Sequence, residues 1–379
     1  MPEAIADPET ERADLLVAVH ARPDVARPAL YRLAEELALW TGPDAEPSRR
    51  LARRIGVPEA QLARALACRK GAREAAARER DRAADLGARI VTRLDPDYPE
   101  ALTQLALAPP VLCIRGEIPA GAGVAIVGSR RADPYGLEVA HLFSSSLAEH
   151  GVAIVSGFAR GVDAAAHRGA LGRPEGRTVA VLGCGLGVDY PRGHAQLGRD
   201  ISEQGALVSE FPCGVEPRTW HFPVRNRAIA ALSSATLVVQ AAARSGSLST
   251  ARWAVDLGRD VFAVPGRIFD ERSLGPHALL REGAGLAQHP RDLLEAIGGQ
   301  HFAATASAAA QGALENMESE PPPGLPGAIL AALPRGFERA PEDLAAATGT
   351  PIDRVLGALL DLELLGRAAR LPGGLFRRV

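Results

Sequence analysis

The sequence predicts an α/β protein: a Rossmann-like parallel-sheet core with a small helical N-terminal domain and a C-terminal winged-helix domain. Three observations carry this prediction. Between residues 88 and 299, apolar runs of strand length alternate with helical periodicity, which is typical of a parallel sheet covered on both faces. Residues 1–87 show helical spacing without strand patterns. After a linker-like stretch, residues 325–379 combine helical segments with a hairpin pattern, as in winged helices.

The N-terminal segment predicts several short helices. Leucines recur at intervals of three or four residues, and breaks occur at Arg-Pro, Thr-Gly-Pro and Gly-Val-Pro. Residues 69–82 alternate arginines with acidic residues, so we predict a polar connecting helix with a solvated surface. The candidate apolar positions are Leu15, Leu16, Val19, Leu30, Leu33, Leu37, Leu51, Ile55, Leu62 and Leu66.

The core is predicted to contain six buried parallel strands. They fall at 124–127, 152–155, 179–182, 206–208, 236–239 and 261–264. Helical periodicity fills most of the intervals, for example at 136–149 and 189–204. Such alternation predicts that the carboxyl ends of these strands lie along one edge of the sheet.

The C-terminal part predicts a linker over 300–324 and a winged helix over 325–379. Its helices are expected at 327–333, 341–348 and 351–365, and its hairpin strands at 368–371 and 375–378. The predicted recognition helix, 351–365, carries Asp353, Asp361 and Glu363 against Arg354 alone. Because a helix that enters a DNA groove meets phosphates with positive charge, we expect this unit to serve protein contacts or to assist DNA binding weakly.

The composition is that of a soluble globular protein. Of 379 residues, 47% are hydrophobic and 23% charged, which argues against wholesale disorder, a collagen-like repeat or a membrane bundle. The stretch 229–243 is interrupted by polar residues and is shorter than a membrane span of about 20 residues. The N-terminal residues lack a signal-peptide pattern, and the 4 cysteines form no CxxC pair. We therefore expect a cytoplasmic protein with free thiols and no metal site.

The net charge of −2 does not indicate a nucleic-acid binder, but one local imbalance does. Residues 217–255 contain no acidic residue and carry Arg218, Arg225, Arg227, Arg244 and Arg252. The 43 basic residues include a single lysine, Lys70, so coding bias can account for the choice of arginine over lysine. The position of these arginines, rather than their type, predicts an anion-binding surface.

Glycine and serine follow four of the predicted strands. These ends are Gly128-Ser129-Arg130, Ser156-Gly157, Gly183 to Gly187, and Ser245-Gly246-Ser247. Glycine lets the backbone approach a phosphate, and hydroxyls and helix N-termini donate to it. One such turn can exist for geometry alone, but four at one sheet edge favour a phosphate-rich ligand. The spacing differs from GxGxxG, and no acidic residue stands where a ribose would be bound, so NAD is disfavoured and no cofactor is expected.

The segment from Trp220 to Arg227 combines two aromatic rings, an imidazole and two guanidinium groups. Single-stranded nucleic acid is held by this combination, because cations follow its phosphates and aromatic faces stack on its bases. The alternative is a structured loop in which Trp220 and Phe222 belong to the core. In that case Arg225 and Arg227 would pair with carbonyl groups at the sheet end.

Catalytic patterns are weak. Asp163 and His167 stand at i,i+4 and are expected to form a helix-stabilising pair. There is no HExxH, GxSxG or Walker A motif. Binding is therefore favoured over turnover, and no catalytic residue is predicted. Two alternatives stay open: a nucleotide-processing hydrolase using Glu210, and a sensor of a nucleotide-derived ligand that signals through the winged helix.

Motifs in a fixed order give the chain a family resemblance. They are 124–130 (VAIVGSR), 156–167 (SGFARGVDAAAH), 189–191 (DYP), 222–227 (FPVRNR), 245–251 (SGSLSTA), 262–266 (FAVPG) and 280–284 (LREGA). Together they resemble the DNA-processing protein A family, DprA or Smf, from about residue 90 to 297. Outside this core, the chain resembles the family only in the kind of domain that is expected. These domains are a SAM/helix-hairpin-helix-like domain over 1–87 and the winged helix.

The resemblance implies a non-enzymatic, dimeric recombination mediator without a cofactor. Such a protein binds and protects incoming single-stranded DNA during natural transformation of competent bacteria, and helps to load the RecA recombinase. Three positions depart from the family pattern: Gln240 replaces a usual Glu, Ala231 a common Gly, and His277 a usual Asn. The resemblance and the residue pattern together predict these DNA-binding residues: Gly128, Ser129, Arg130, Gly157, Arg218, Trp220, Phe222, Arg225, Asn226, Arg227, Ser245, Gly246 and Ser247.

Overall fold

The structure is a computed structural model. It describes residues 8–25, 27, 30–32, 53, 56–68, 71–121, 123–298, 324–333, 338–364, 368–371 and 375–378. The chain divides after Ala303 into two compact units. The predicted linker residues 300–323 and the apolar positions Leu33, Leu37, Leu51 and Ile55 lie outside the described residues, and the finer domain boundaries stay predictions.

A 9-stranded sheet forms the centre of the first unit, in the order β1-β2-β6-β5-β4-β3-β7-β8-β9. Strands β3 to β9 are parallel to one another, whereas β1 and β2 add an antiparallel pair at one edge. The strands are β1 Arg89–Thr92, β2 Val111–Gly116, β3 Gly123–Val127, β4 Ala153–Ser156, β5 Thr178–Val181, β6 Gly205–Ser209, β7 Ala235–Val238, β8 Asp260–Ala263 and β9 Gly285–Leu286.

The Rossmann-like prediction is confirmed, and the six predicted strands are β3 to β8. Every residue of β3, β4, β5, β6 and β7 is buried, which explains why their sequences are continuous apolar runs without alternation. The sequence reasoning missed β1, β2 and β9. All three lie towards the edges of the sheet, and β9 has only 2 residues, so it leaves no periodic signal.

Helices cover both faces of the sheet. They are α1 Pro8–His20, α2 Glu59–Ala67, α3 Ala72–Asp85, α4 Glu100–Thr103, α5 Pro134–Glu149, α6 Val162–Leu171, α7 Ala195–Gln204, α8 His221–Ala231, α9 Ser247–Asp256 and α10 Leu274–Arg281. Residues 290–298 are also helical. The helix predicted over 189–204 begins only at Ala195, because Pro191 and Gly193, which has a left-handed φ of 87°, interrupt the chain before it.

The predicted connecting helix, α3, is less solvated than expected. Its residues Ala72, Ala76, Glu79 and Ala83 are buried. The Glu79 carboxylate accepts a hydrogen bond of 2.9 Å from the backbone N–H of Cys213. Small alanines on one side therefore let a helix of polar composition pack closely, and Glu79 joins it to the loop after β6.

The strand order reverses at β3. Strands β4, β5 and β6 lie on one side of β3, and β7, β8 and β9 lie on the other. Open α/β sheets bind ligands in the crevice beyond the carboxyl ends of their strands at such a reversal. Here the residues that leave this edge are Gly128 after β3, Gly157 after β4, Leu182 after β5 and Val239 after β7.

The second unit has the helices and hairpin strands expected of a winged helix. It contains α11 Leu325–Ala332, α12 Pro341–Thr348 and α13 Ile352–Leu364, with strands β10 Glu338–Arg339, β11 Ala368–Arg370 and β12 Phe376–Arg378. The strand order is β10-β12-β11. Ile329, Leu344, Leu359 and Phe376 belong to its buried core. The predicted turn at 372–374 lies outside the described residues, and β10 was not predicted.

Across the described part of the chain, no helix combines the length and the apolar character that a membrane crossing requires.

Candidate functional site

A cavity of about 390 Å³ opens beyond the carboxyl ends of β3, β4 and β5. We call it the first cavity. Its walls come from the turn after β3, the loop after β4, the loop after β5 and the first turn of α8. Its lining includes Arg130, Gly157, Phe158, Arg160, Gly183, Tyr190, Arg192 and Phe222.

The ring of Phe222 lies directly against backbone in this cavity. A Cβ atom on Gly183 would come within 2.7 Å of the Phe222 ring, so only glycine at 183 permits the ring to lie there. The Arg130 guanidinium carbon is 4.7 Å from the Phe222 ring centroid, and the Tyr190 ring centroid is 5.6 Å from it. This geometry stacks a cation on an aromatic face and leaves a half-exposed aromatic surface in the cavity.

The rim of the first cavity is cationic. Arg130, Arg160 and Arg192 are all exposed, and Arg160 donates a hydrogen bond of 3.3 Å to the carbonyl of Arg192. Among the described residues that line the cavity there is no Asp or Glu. Three guanidinium groups around an aromatic floor, without an acidic neighbour in the lining, suit a ligand that carries negative charge next to flat apolar groups.

Arg225 lies beneath the cavity floor. Its Nη1 donates to the carbonyls of Gly157 and Val181, 2.5 Å away in each case. Burial lowers the pKa of Arg225 to about 10, and the Asp163 carboxylate opposes this shift. The alternative of an arginine that pairs with sheet-end carbonyls therefore describes Arg225. These contacts favour a positioning role for Arg225, and its contact with DNA stays a prediction.

The glycine at 157 has a steric reason. A Cβ atom there would be 2.6 Å from Asp163 Oδ2 and 2.7 Å from the Arg225 guanidinium. Burial raises the pKa of Asp163, and Arg225 opposes that shift. Gly157 thus allows two opposite buried charges to approach from either side of the strand end, and it holds the loop close above them.

The next residue, Phe158, adopts a left-handed φ of 59°. This conformation is uncommon for a bulky residue and costs on the order of 1–3 kcal/mol. It is held by the edge contact of the Phe158 ring with His194, with centroids 5.2 Å apart, and by the hydrogen bond of 3.3 Å from Ala159 N–H to Asp163 Oδ2. The Asp163 carboxylate thus occupies the Ala159 N–H, which is therefore not free for a ligand phosphate.

Gly128 and Ser129 form the turn after β3. A Cβ atom on Gly128 would lie 2.7 Å from the Val162 side chain and 2.9 Å from the Gln240 carbonyl, so this glycine serves close packing between α6 and the end of β7. The Ser129 hydroxyl accepts a hydrogen bond of 3.1 Å from Arg131 N–H. Both residues are partly exposed beside Arg130.

Gln240 has a defined partner. Its Nε2 donates to Asp133 Oδ1 at 2.9 Å, and its Oε1 accepts from Asp133 N–H at 3.3 Å. Asp133 also caps α5 by accepting from Gly136 N–H. Because a glutamate at 240 would face the Asp133 carboxylate, the amide fits this environment. Of the other departures, Ala231 is fully buried at the end of α8, and His277 contacts the backbone of Gly266.

Asn226 and the Ser245-Gly246-Ser247 turn form a second group next to the cavity. Asn226 is buried, and its Nδ2 donates to the Gly246 carbonyl at 3.0 Å and to Ser249 Oγ at 2.7 Å. These bonds join α8 to the start of α9. The hydroxyls of Ser245 and Ser247 lie 2.7 Å apart and are partly exposed. The turn remains available to a ligand, whereas Asn226 positions it.

Arg227 lies in a buried ion pair. Its Nη2 is 2.5 Å from Glu210 Oε2, and the two side chains are 7% and 3% exposed. The Tyr31 hydroxyl donates to the same carboxylate oxygen at 2.6 Å. Its charge is neutralised inside the protein, where Arg227 anchors α8 to the loop after β6 and to the N-terminal region. This geometry favours a structural role for Arg227, and its phosphate contact stays a prediction.

Two more predicted residues, Arg218 and Trp220, line a different cavity of about 790 Å³. We call it the second cavity. Both side chains are exposed, and Trp253 of α9 and Arg27 of the N-terminal region share its wall. The thirteen predicted site residues are thus divided by the structure between two cavities, the turn after β3, the Ser-Gly-Ser turn and a buried layer.

Sequence reasoning missed Arg160, Tyr190 and Arg192 as site residues. Arg160 stands only four residues beyond the end of β4, a position that could have identified it. Tyr190 and Arg192 belong to the stretch assigned to a helix over 189–204, and that assignment concealed them.

The predicted pairing of Asp163 with His167 is not what the described residues show, because each has another partner. Asp163 accepts from Ala159 N–H, and the His167 Nδ1 lies 2.7 Å from Thr178 Oγ1. The Thr178 hydroxyl donates to the Ile154 carbonyl, so the imidazole acts as the donor to it. His167 is therefore held as a neutral core residue.

We expect the burial of His167 to make the fold acid-sensitive. Burial lowers its pKa from 6.5 to about 3, so protons bind to the unfolded chain first as the pH falls. The contribution of neutral His167 to the free energy of unfolding is fully present above pH 6.5. It falls by about 1.4 kcal/mol per pH unit towards pH 3, which amounts to a loss of about 2 kcal/mol by pH 5. Burial lowers the pKa of His194 and His221 in the same direction, whereas the raised pKa of Asp163 acts oppositely.

Urea unfolding at pH 7 and pH 5 measures this effect. The variant His167→Gln, which keeps a donor but does not titrate, is expected to lose about 2 kcal/mol less than the wild type over that interval. An identical pH dependence of the two proteins would contradict the assignment.

Comparison with known proteins shows similarity over most of the chain. A family model described as DNA recombination-mediator protein A matches residues 89–298, and a DprA winged helix domain model matches residues 313–374. Protein Smf of Escherichia coli is 44% identical over 74% of this chain and 75% of its own length. A putative DNA processing protein DprA of Mycobacterium tuberculosis is 38% identical over 82% and 83%.

The fold comparison agrees. The X-ray structure of DNA processing protein A from Streptococcus pneumoniae aligns with 78% of this chain and 99% of that chain. The TM-score is 0.64 and the sequence identity 30%. Among the described residues, no group of three or more His, Cys, Asp or Glu side chains is arranged to hold a metal ion.

Proposed function

Because the chain belongs to the DNA recombination-mediator protein A family, we propose that it binds single-stranded DNA in the first cavity as a recombination mediator. In this proposal it protects incoming DNA during natural transformation of competent cells and helps to load RecA. It acts in the cytoplasm as a homodimer, without a cofactor and without turnover. The winged-helix unit serves protein contacts or assists DNA binding weakly.

One observation carries the proposal. Arg130, Arg160 and Arg192 surround the half-exposed aromatic surface of Phe222 and Tyr190, and no described lining residue is acidic. Guanidinium groups neutralise phosphates, and an aromatic face stacks on any base without regard to sequence. This arrangement supports sequence-independent binding of unpaired nucleotides, because the bases of a duplex are already stacked on one another.

The contacts of the carboxylates favour binding over hydrolysis. A nucleotide-processing hydrolase would use Glu210 as its catalytic carboxylate. This side chain is only 4% exposed, and it is bound by Arg227 and Tyr31. Asp163 is buried against Ala159 N–H. A carboxylate with these partners is poorly placed to activate a water molecule in the open cavity.

The dimer proposal has support in exposed apolar side chains that follow β8 or lie on the edge strand β9. Ile268 and Phe269 are 74% and 94% exposed, and Leu286 of the edge strand β9 is 46% exposed. Large apolar side chains that are this exposed can serve as contacts in an interface between two copies of the chain.

Fluorescence anisotropy with a labelled poly-dT strand and a matching duplex, each at two salt concentrations, tests the function. We expect strong preference for the single strand, with log affinity falling against log salt by about 0.7 per phosphate contacted. Absence of binding at low salt would reject the proposal. Saturable binding of a nucleotide without dependence on strand length would favour the sensor, and release of product from nucleoside monophosphates would favour the hydrolase.

A further inference from the structure

We propose that the second cavity is a second base-stacking subsite for the same single strand, one that takes nucleotides beyond those held in the first cavity. This inference rests on the proposed function, since it extends the DNA path. It accounts for two predicted residues, Arg218 and Trp220, that the structure places away from the first cavity.

The charge of the second cavity suits a polyanion. Its described lining includes Arg22, Arg27, Arg218 and Arg227, and no Asp or Glu. Arg22 and Arg227 are paired with Asp24 and Glu210. For Arg27 and Arg218, no carboxylate within 4.0 Å is found among the described residues, so no close ion pair with these residues neutralises either guanidinium group.

Arg27 is half-buried, whereas Arg218 is exposed, and a partly buried arginine without a carboxylate partner is unusual. Its Nη1 lies 2.9 Å from Nδ1 of the buried His20, and its guanidinium carbon lies 5.7 Å from the Phe211 ring centroid. Burial lowers the pKa of both Arg27 and His20, so the imidazole stays neutral and does not balance the charge. A desolvated cation in a cavity wall strengthens the attraction of an anion.

Two tryptophans provide the aromatic faces. Trp220 is 45% exposed and Trp253 is 36% exposed, although large aromatic side chains are usually well buried. Trp220 is held by edge contacts with His221 and Phe211, at centroid distances of 4.2 and 6.2 Å. An aromatic ring that is fixed by its neighbours and partly exposed to solvent can stack on a nucleic-acid base.

The two cavities lie on either side of the start of α8. Phe222 lines the first cavity, whereas its chain neighbours His221 and Pro223, together with Trp220, line the second. The first turn of α8 thus lies between the two aromatic surfaces. A flexible strand whose base stacks on Phe222 can cross this turn and place a later base at Trp220 or Trp253.

The experiment compares a dT strand of about 4 nucleotides with one of about 12. We expect Trp253→Ala to lower affinity for the long strand about tenfold and to leave affinity for the short strand unchanged. Val255→Ala is the matched control, since Val255 is 63% exposed on the same helix and does not line the cavity. In a variant carrying Trp40→Phe and Trp220→Phe, the long strand alone should quench the remaining Trp253 emission.

The outcomes separate this inference from the proposed function. If Trp253→Ala binds both strands like the wild type and Trp253 emission does not change, the second subsite is rejected. The first cavity would still stand if Phe222→Ala lost affinity for both strands, and the second cavity would then belong to another partner, such as a peptide. If the wild type bound neither strand, both proposals would fail.

Discussion

Replacing Arg227 by alanine is expected to lower the free energy of unfolding of the first unit by about 3–5 kcal/mol. The substitution leaves the Glu210 carboxylate buried without its cation. That carboxylate already has one oxygen, Oε1, without a hydrogen-bond partner among the described residues. Urea denaturation followed by tryptophan fluorescence measures the loss, because Trp40, Trp220 and Trp253 all belong to the first unit.

A double variant controls for this effect. Glu210→Leu with Arg227→Met removes both charges and leaves apolar side chains of similar length, so it is expected to recover most of the lost stability. The folded Arg227→Ala protein should keep its affinity for single-stranded DNA within a few-fold. A variant that is stable to within 1 kcal/mol but binds DNA poorly would restore the direct phosphate contact that the sequence predicted.

Replacing Arg130 by alanine is expected to weaken binding of single-stranded DNA by about 10- to 100-fold, with little change in stability. Its guanidinium is exposed and stacks on Phe222 at 4.7 Å, so a bound phosphate would form a charge-assisted hydrogen bond worth about 1.5–3 kcal/mol. The slope of log affinity against log salt should flatten by about 0.7, the contribution of one phosphate.

Arg173→Ala provides the matched control for Arg130→Ala. Arg173 is partly exposed, with an ion pair of 2.8 Å to Glu149. It follows the C-terminal end of α6, away from the carboxyl edge of the sheet. This control should bind DNA like the wild type. An equal loss in both variants would indicate a diffuse electrostatic effect of net charge, and an unchanged Arg130→Ala would place the DNA elsewhere.

The parallel core was predictable because its strands are buried on both faces. Val124 to Val127 and Thr236 to Val239 are recognisable as continuous apolar runs that come before glycine or polar residues. The antiparallel strand β1 was not predictable in this way, since only part of it is buried. Helix α8 was also missed, because its first residues combine aromatic, proline and arginine side chains that local propensity does not assign to a helix.

The sequence predicts which types of residue form the candidate site, but it does not predict which of them are buried and which are exposed. Arg130, Arg225 and Arg227 look alike in the sequence, yet the first is exposed and the other two are buried. Their difference depends on partners distant in the chain: Gly157 and Val181 for Arg225, and Glu210 and Tyr31 for Arg227. A single sequence does not contain these pairings, because they arise only when the sheet and the N-terminal region come together.

The contact between Phe222 and Gly183 has a consequence for how this site can diverge. The ring lies against main chain, whose position is fixed by the sheet and hardly varies with side-chain substitutions in the core. Substitutions in the protein interior are therefore expected to leave the position of the Phe222 ring in the first cavity unchanged. Adaptation to a different nucleic acid would then proceed through the solvent-facing arginines at the rim, which can be exchanged one at a time without repacking of the buried residues beneath them.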